Sequence, residues 1–236
     1  MITEDITYKA GDKNLTGYLA DGAKGAKAPG VLVCHQGGGL TEHAKEKARM
    51  LAEIGYVAFA LDMYGETATS REHAMALLGG LMKNPELLRE RAYAGLDVLK
   101  AQSNVDAKRL AAVGYCFGGA LVIELARSST ALTCVASMHP GLTYAVGDTR
   151  SVHGKVLICA GAQDPFISPE TRNQFIAEIE KAGANWQMIV YGGAGHSFTD
   201  KSVDAMDIPG FKYHESTDRR SWAAMRQLFD EALGPI

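Results

Sequence analysis

One cysteine of the chain has neighbours that suit a nucleophile. Cys116 lies in the run Gly114-Tyr115-Cys116-Phe117-Gly118-Gly119, directly after the apolar segment Leu110–Tyr115 and directly before a helical pattern. This is the spacing of a nucleophile elbow, with a thiol where a hydroxyl is more usual. A reactive side chain on so tight a strand-to-helix turn needs small neighbours, because side chains at 114 and 118 would collide with adjacent backbone. The turn lifts the thiol clear of the sheet, and the positive end of the helix below it favours the thiolate. The alternative is a buried cysteine beside glycines that only allow close helix–strand packing.

A thiol nucleophile needs a base, and the base needs a group that orients it. In hydrolases built on such elbows the order along the chain is nucleophile, acid, histidine. The apolar run Lys155–Ala160 leads into Gly161-Ala162-Gln163-Asp164-Pro165, and Trp186–Tyr191 leads into Gly192-Gly193-Ala194-Gly195-His196-Ser197-Phe198. Asp164 alone could be a turn or cap residue. Placed between Cys116 and a histidine that also follows a strand, it becomes the expected acid, and His196 the expected base. His43 and His73 fall in exposed-looking helical stretches and His153 and His214 in polar loops, while His35 and His139 end strands. Acyl transfer also needs donors for a developing oxyanion. The amide of Phe117 is one candidate, and His35-Gln36-Gly37-Gly38-Gly39 offers Gly37 as the other, with Gln36 close behind. Gln36, Gly38, His139, Phe166, Ser197 and Phe198 flank these positions and are the expected substrate-lining residues. The glycine run lacks the G-x-x-x-x-G-K-[ST] pattern of a phosphate loop.

The elements that must position these residues alternate. Short runs rich in Val, Ile, Leu and Ala (Gly30–Cys34, Val57–Leu61, Leu110–Tyr115, Leu132–Met138, Lys155–Ala160, Trp186–Tyr191) read as strands buried on both faces. Between them lie helical patterns over Glu42–Ile54, Pro85–Gln102, Phe117–Arg127, Pro169–Ala182 and Asp218–Leu233. Ile6–Tyr8 and Leu15–Leu19 suit an antiparallel pair at a sheet edge, and Asp21–Pro29 a short linking turn. Asp62–Asn84 departs from the rhythm and suits a lid or pocket wall. The expectation is one α/β domain over residues 1–236, with a mostly parallel sheet and helices on both faces. Sites in such sheets form beyond the carboxyl ends of the strands.

Composition is consistent with this. Of 236 residues, 47% are hydrophobic, enough for a sizeable core, and the net charge of −3 with scattered basic residues gives no reason to expect a nucleic-acid partner. No apolar run approaches the roughly 18–20 residues that span a membrane. The first ten residues lack the basic start and apolar core of a signal peptide, so the cytoplasm is the expected location. Cys34, Cys116, Cys134 and Cys159 form no CxxC pair, and no metal site is expected. Cys34, Cys134 and Cys159 sit in strand-like runs as small hydrophobes.

Taken together, the Cys116 elbow, Gln163-Asp164, Gly195-His196-Ser197-Phe198, Leu61-Asp62-Met63-Tyr64-Gly65 and Asp218-Arg219-Arg220-Ser221-Trp222 resemble the dienelactone hydrolase family, over almost the whole chain. The resemblance implies an α/β-hydrolase fold of carboxymethylenebutenolidase type and hydrolysis of lactones or esters with no cofactor. It also implies the triad Cys116, Asp164 and His196, with Gly37 and Phe117 as oxyanion donors. Two positions depart from the family pattern. Well-studied members have a glutamate where this chain has Gln36, a carboxylate that takes part in switching the cysteine between thiol and thiolate. Members that grip a substrate carboxylate have an arginine four residues after the histidine, where this chain has Asp200, which would repel the same anion. Arg71, Arg89 or Arg91 could substitute for it. The expected substrate is therefore a small, neutral ester or lactone, in a broad range. Two other readings are hydrolysis of activated phosphotriesters at the same thiol, and a catalytically weak binding or sensing protein on a hydrolase scaffold. Oligomeric state is not legible.

Overall fold

A computed structural model describes residues 1–129, 131–142 and 150–236. Its eight strands are β1 (Ile2–Ala10), β2 (Lys13–Asp21), β3 (Ala28–Cys34), β4 (Val57–Ala60), β5 (Val105–Tyr115), β6 (Cys134–Met138), β7 (Lys155–Gly161) and β8 (Asn185–Tyr191). They belong to one sheet in the order β1-β2-β4-β3-β5-β6-β7-β8. β1 pairs antiparallel with β2, and β2 with β4, whereas β3/β4, β6/β7 and β7/β8 are parallel. The expected edge hairpin is present, with Tyr8 opposite Leu15.

The chain divides into two compact units, Met1–Val113 with Pro235–Ile236, and Gly114–Gly234. In the first unit, helices α1 (Glu42–Glu53) and α3 (Pro85–Lys100) pack on β3 and β4. Every residue of β3 and β4 is buried, as strands covered on both faces must be. Asn84 caps α3 by accepting from the Leu87 amide at 3.1 Å, and Pro85 fits the first turn, where no amide donor is needed. In the second unit, α4 (Phe117–Ser128) and α6 (Glu215–Leu233) pack on β6. The Ser168 hydroxyl caps α5 (Pro169–Lys181) from the Thr171 amide. Among the described residues no helix is long and apolar enough to cross a membrane.

Four expectations need correction. Asp62–Asn84 holds a helix, α2 (Arg71–Met82), in which only Leu81 is buried; it lies on the surface against α3. Its apolar residues lack a clean helical stripe, and Gly79-Gly80 weaken the pattern further. β5 begins at Val105, well before Leu110; its residues 106–109 are half-buried or exposed and polar apart from Ala107, so they extend no apolar run. β8 is only partly buried, since it is last in the sheet order and, among the described residues, no strand pairs with its outer edge. His43 is buried on the inner face of α1.

Candidate active site

The second unit brings the thiol, the imidazole and the carboxylate into one hydrogen-bonded row. Cys116 sits between β5 and α4 with φ 54° and ψ −110°, a backbone state that non-glycine residues rarely adopt. The turn is possible because Gly114 has no side chain: a Cβ there would lie 1.8 Å from the Gly118 carbonyl oxygen. The Cys116 amide donates to the Met138 carbonyl at 3.0 Å and to His139 Nδ1 at 3.1 Å. These bonds hold the elbow against the end of β6.

Asp164 stands three residues beyond β7. One carboxylate oxygen accepts from the Phe166 amide at 2.9 Å, and the other faces His196 Nδ1 at 2.7 Å. The histidine loop comes this close because Gly161 leaves room, since a Cβ there would meet the Ala194 and Gly195 carbonyl oxygens at 2.5 Å. On its other side, His196 Nε2 lies 3.0 Å from Cys116 Sγ. The imidazole is thus engaged at both nitrogens and is 2% exposed. Burial alone would lower its pKa. The Cys116 thiolate and the Asp164 carboxylate outweigh that and push it up to about 10. An imidazolium beside a thiolate is the form in which such a row could supply a nucleophile.

The main chain of His196 is fixed as firmly as its ring. Its amide donates to the Gly210 carbonyl at 2.8 Å, and its own carbonyl accepts from the Lys212 amide at 3.2 Å. Phe211 and Phe166 pack edge-on against the imidazole, with centroids at 4.7 and 5.0 Å. Sequence reading missed Phe211 because Asp207–Tyr213 carries neither strand nor helix periodicity. Phe211 joins His196 through an isolated bridge outside the named strands.

Of the residues expected to line substrate, Phe166 is 47% exposed beside His196. His139, Ser197 and Phe198 are at most 1% exposed and present little surface. The physical reason is packing: the Phe198 ring lies between His139 and Tyr191, and Ser197 turns the loop with φ 55°. Asp200 does not reach out as a free acid either. Its carboxylate caps the 3-10 helix Lys201–Met206, accepting from the Ser202 amide at 2.8 Å and the Ser202 hydroxyl at 2.7 Å.

Gln36, Gly37 and Gly38 belong to the first unit, in the turn after β3. The Gln36 carbonyl accepts from His35 Nδ1 at 2.5 Å and from the Gly39 amide at 3.2 Å, and the Gly38 carbonyl from the Ala68 amide at 2.9 Å. Buried His35 also accepts the Met63 amide at Nε2. Desolvation lowers its pKa and keeps the ring neutral, as both bonds require. Asp62 secures the neighbouring turn by accepting the Tyr64 and Gly65 amides at 2.9 Å. Arg91 donates to the Met63 carbonyl at 2.6 Å. Among the described residues no three His, Cys, Asp or Glu side chains are grouped to hold a metal ion.

Comparison with known proteins agrees with this architecture. The dienelactone hydrolase family pattern matches residues 15–233. The carboxymethylenebutenolidase of Pseudomonas putida is 28% identical over 217 residues, covering 86% of this chain and 88% of that protein. The solved structure of m3DLH superposes with a TM-score of 0.91 at 39% identity over 98% of both chains. A dienelactone-hydrolase-like promiscuous phosphotriesterase from metagenomic libraries reaches a TM-score of 0.93 at 36% identity over 99% of both chains. The chain therefore belongs to the dienelactone hydrolase family, enzymes that hydrolyse ester-type bonds, lactones among them.

Proposed function

We propose that the protein is a cysteine hydrolase of neutral esters and lactones that works through Cys116, His196 and Asp164 and a thioester intermediate. The observation that carries this reading is the continuous row Sγ–Nε2 at 3.0 Å and Nδ1–carboxylate at 2.7 Å. Cys116 Sγ attacks the carbonyl carbon while Asp164 holds the imidazole with its Nε2 proton towards the site. The oxyanion is met by the amide of Phe117, the first residue of α4. His196 gives its proton to the leaving alkoxide, which in a lactone stays tethered to the acyl group. Neutral His196 then takes a proton from water, which hydrolyses the thioester and releases the thiol. Phe166 faces substrate beside the base. With Gln36 in place of a carboxylate, no ionisable group at that position gates the thiolate. Four free cysteines fit a reducing, cytoplasmic setting.

Cys116→Ala tests the reading with p-nitrophenyl acetate and a simple γ-lactone. The variant should fold normally and lose essentially all activity, and the wild type should carry an acetyl thioester visible by mass spectrometry. Normal turnover by the variant would overturn it.

A second activity is favoured by one observation, the likeness to a promiscuous phosphotriesterase. A neutral phosphotriester presents a polarised P=O to the same thiolate. Attack at phosphorus would expel an aryloxide and leave a phosphorylated sulfur for water to cleave. Turnover of paraoxon that disappears with Cys116→Ala is the expected result. A binding or sensing protein with a retired site would instead show no cysteine alkylated faster than an ordinary thiol at neutral pH.

A further inference from the structure

His139 is buried to 0% exposure at the end of β6, yet the acyl-transfer steps give it no task. Both of its ring nitrogens are engaged. Nδ1 accepts the backbone amide of Cys116 at 3.1 Å, so the proton of the neutral ring resides on Nε2 and is donated to Thr199 Oγ1 at 2.8 Å. Thr199 is itself buried and lies three residues beyond His196 on the same loop. One side chain therefore links the peptide of the nucleophile to the loop of the base.

The ring has no room to turn. It meets Phe198 edge-on at 4.9 Å, the His196 imidazole at 5.4 Å and Tyr115 at 6.1 Å. Its backbone adopts φ 39°, and its amide is tied to the Cys159 carbonyl at 2.8 Å. Cys116 and Ser197 also have positive φ, at 54° and 55°. Three non-glycine residues thus hold unfavourable backbone states in the two turns that must agree and in the residue that joins them. Such states persist where surrounding contacts over-determine them. The Sγ–Nε2 separation of 3.0 Å depends on those two turns keeping register, and His139 is the group bonded to both.

We propose that His139 is a positioning residue which, through Thr199, sets the distance between the Cys116 nucleophile and the His196 base. The inference rests on the assignment of Cys116 as nucleophile. Thr199→Val is the informative variant, because it keeps the shape of the side chain and removes the hydroxyl that Nε2 meets. Thr199→Ser restores the hydroxyl. Turnover of p-nitrophenyl acetate is measured per active site, counted by titrating Cys116 with iodoacetamide, so that loss of folded protein does not enter. Thr199→Val should lower kcat about tenfold with KM changed less than about twofold, since small misplacements of reacting groups are costly in rate. Its Cys116 alkylation at neutral pH should also slow, because a thiolate further from the imidazolium is less populated. Thr199→Ser should recover both to within about twofold of the wild type. A Thr199→Val enzyme with wild-type kcat and alkylation, or a Thr199→Ser enzyme as impaired as Thr199→Val, would overturn the bridge while Cys116→Ala stays inactive. An active Cys116→Ala would instead overturn the nucleophile on which the bridge depends.

Discussion

Replacing Gly114 by alanine adds one carbon and two hydrogens, and the structure gives the size of the consequence. The new Cβ would lie 1.8 Å from the Gly118 oxygen, 2.2 Å from the Gly118 carbonyl carbon and 2.8 Å from the Gly119 nitrogen. All three are backbone atoms and cannot rotate away. Real Cβ contacts begin at about 3.0 Å, so β5 and the start of α4 must part by about 1.2 Å, the difference between 1.8 and 3.0. Cys116 is the hinge of that opening. A shift of this size would carry Sγ from 3.0 Å to about 4 Å from His196 Nε2, beyond hydrogen-bond reach. Misplacing a reacting group by about 1 Å costs on the order of 100-fold in rate. Gly114→Ala should therefore lower kcat for p-nitrophenyl acetate by about 100-fold. The overpacking should also cost about 1–3 kcal/mol of stability. The assay is turnover per folded molecule, with far-ultraviolet circular dichroism and a urea titration reporting the fold. A folded Gly114→Ala enzyme within threefold of wild-type kcat would refute the claim that the closed elbow sets the geometry of the thiol.

Other outcomes follow from the same physical reasoning. Gly79→Ala places a methyl group in open space on α2, where nothing lies within 4 Å of the added carbon. It should raise stability by about 0.5–1 kcal/mol with activity unchanged, read as a higher thermal midpoint. Asp200→Ala removes the cap of the 3-10 helix and should cost about 1 kcal/mol in a urea titration. It should not improve hydrolysis of an anionic lactone, since the carboxylate is held by Ser202. His196 has a pKa raised from 6.5 to about 10 in the fold, so its contribution to stability is complete below about 6.5 and is lost as pH rises through about 10. Unfolding free energies across that window should fall more steeply for the wild type than for His196→Gln, and parallel curves would contradict the assignment.

The grouping of Cys116, Asp164 and His196 was legible because each of them is announced twice, by its type and by its place just beyond a strand. Cys116, Asp164 and His196 follow β5, β7 and β8 in that order, and the elbow adds glycines whose absence of side chains is a steric demand. What supports the row was not legible. His139 ends a strand as a ligand-facing histidine would, and only the fold shows its two nitrogens turned inward to Cys116 and Thr199. Phe211 lies in an irregular segment whose pairing with His196 is long-range backbone bonding, which leaves no periodic trace. Asp200 looked like a charge facing substrate. Only its distances to Ser202 show that it closes a helix end. Local periodicity likewise hid α2, because a surface helix with a single buried residue has no apolar face to display.

The anchoring of His196 by Gly210 and Lys212 has a consequence for exchange with solvent. The peptide groups on either side of His196 form a two-bond ladder, so the amides of His196 and Lys212 should exchange with deuterium slowly and in concert, although both lie in irregular chain. A side chain whose Cβ direction is set by main chain leaves its socket intact when the imidazole is replaced. Position 196 can then receive other proton acceptors, natural or synthetic, without the loop having to be rebuilt around them.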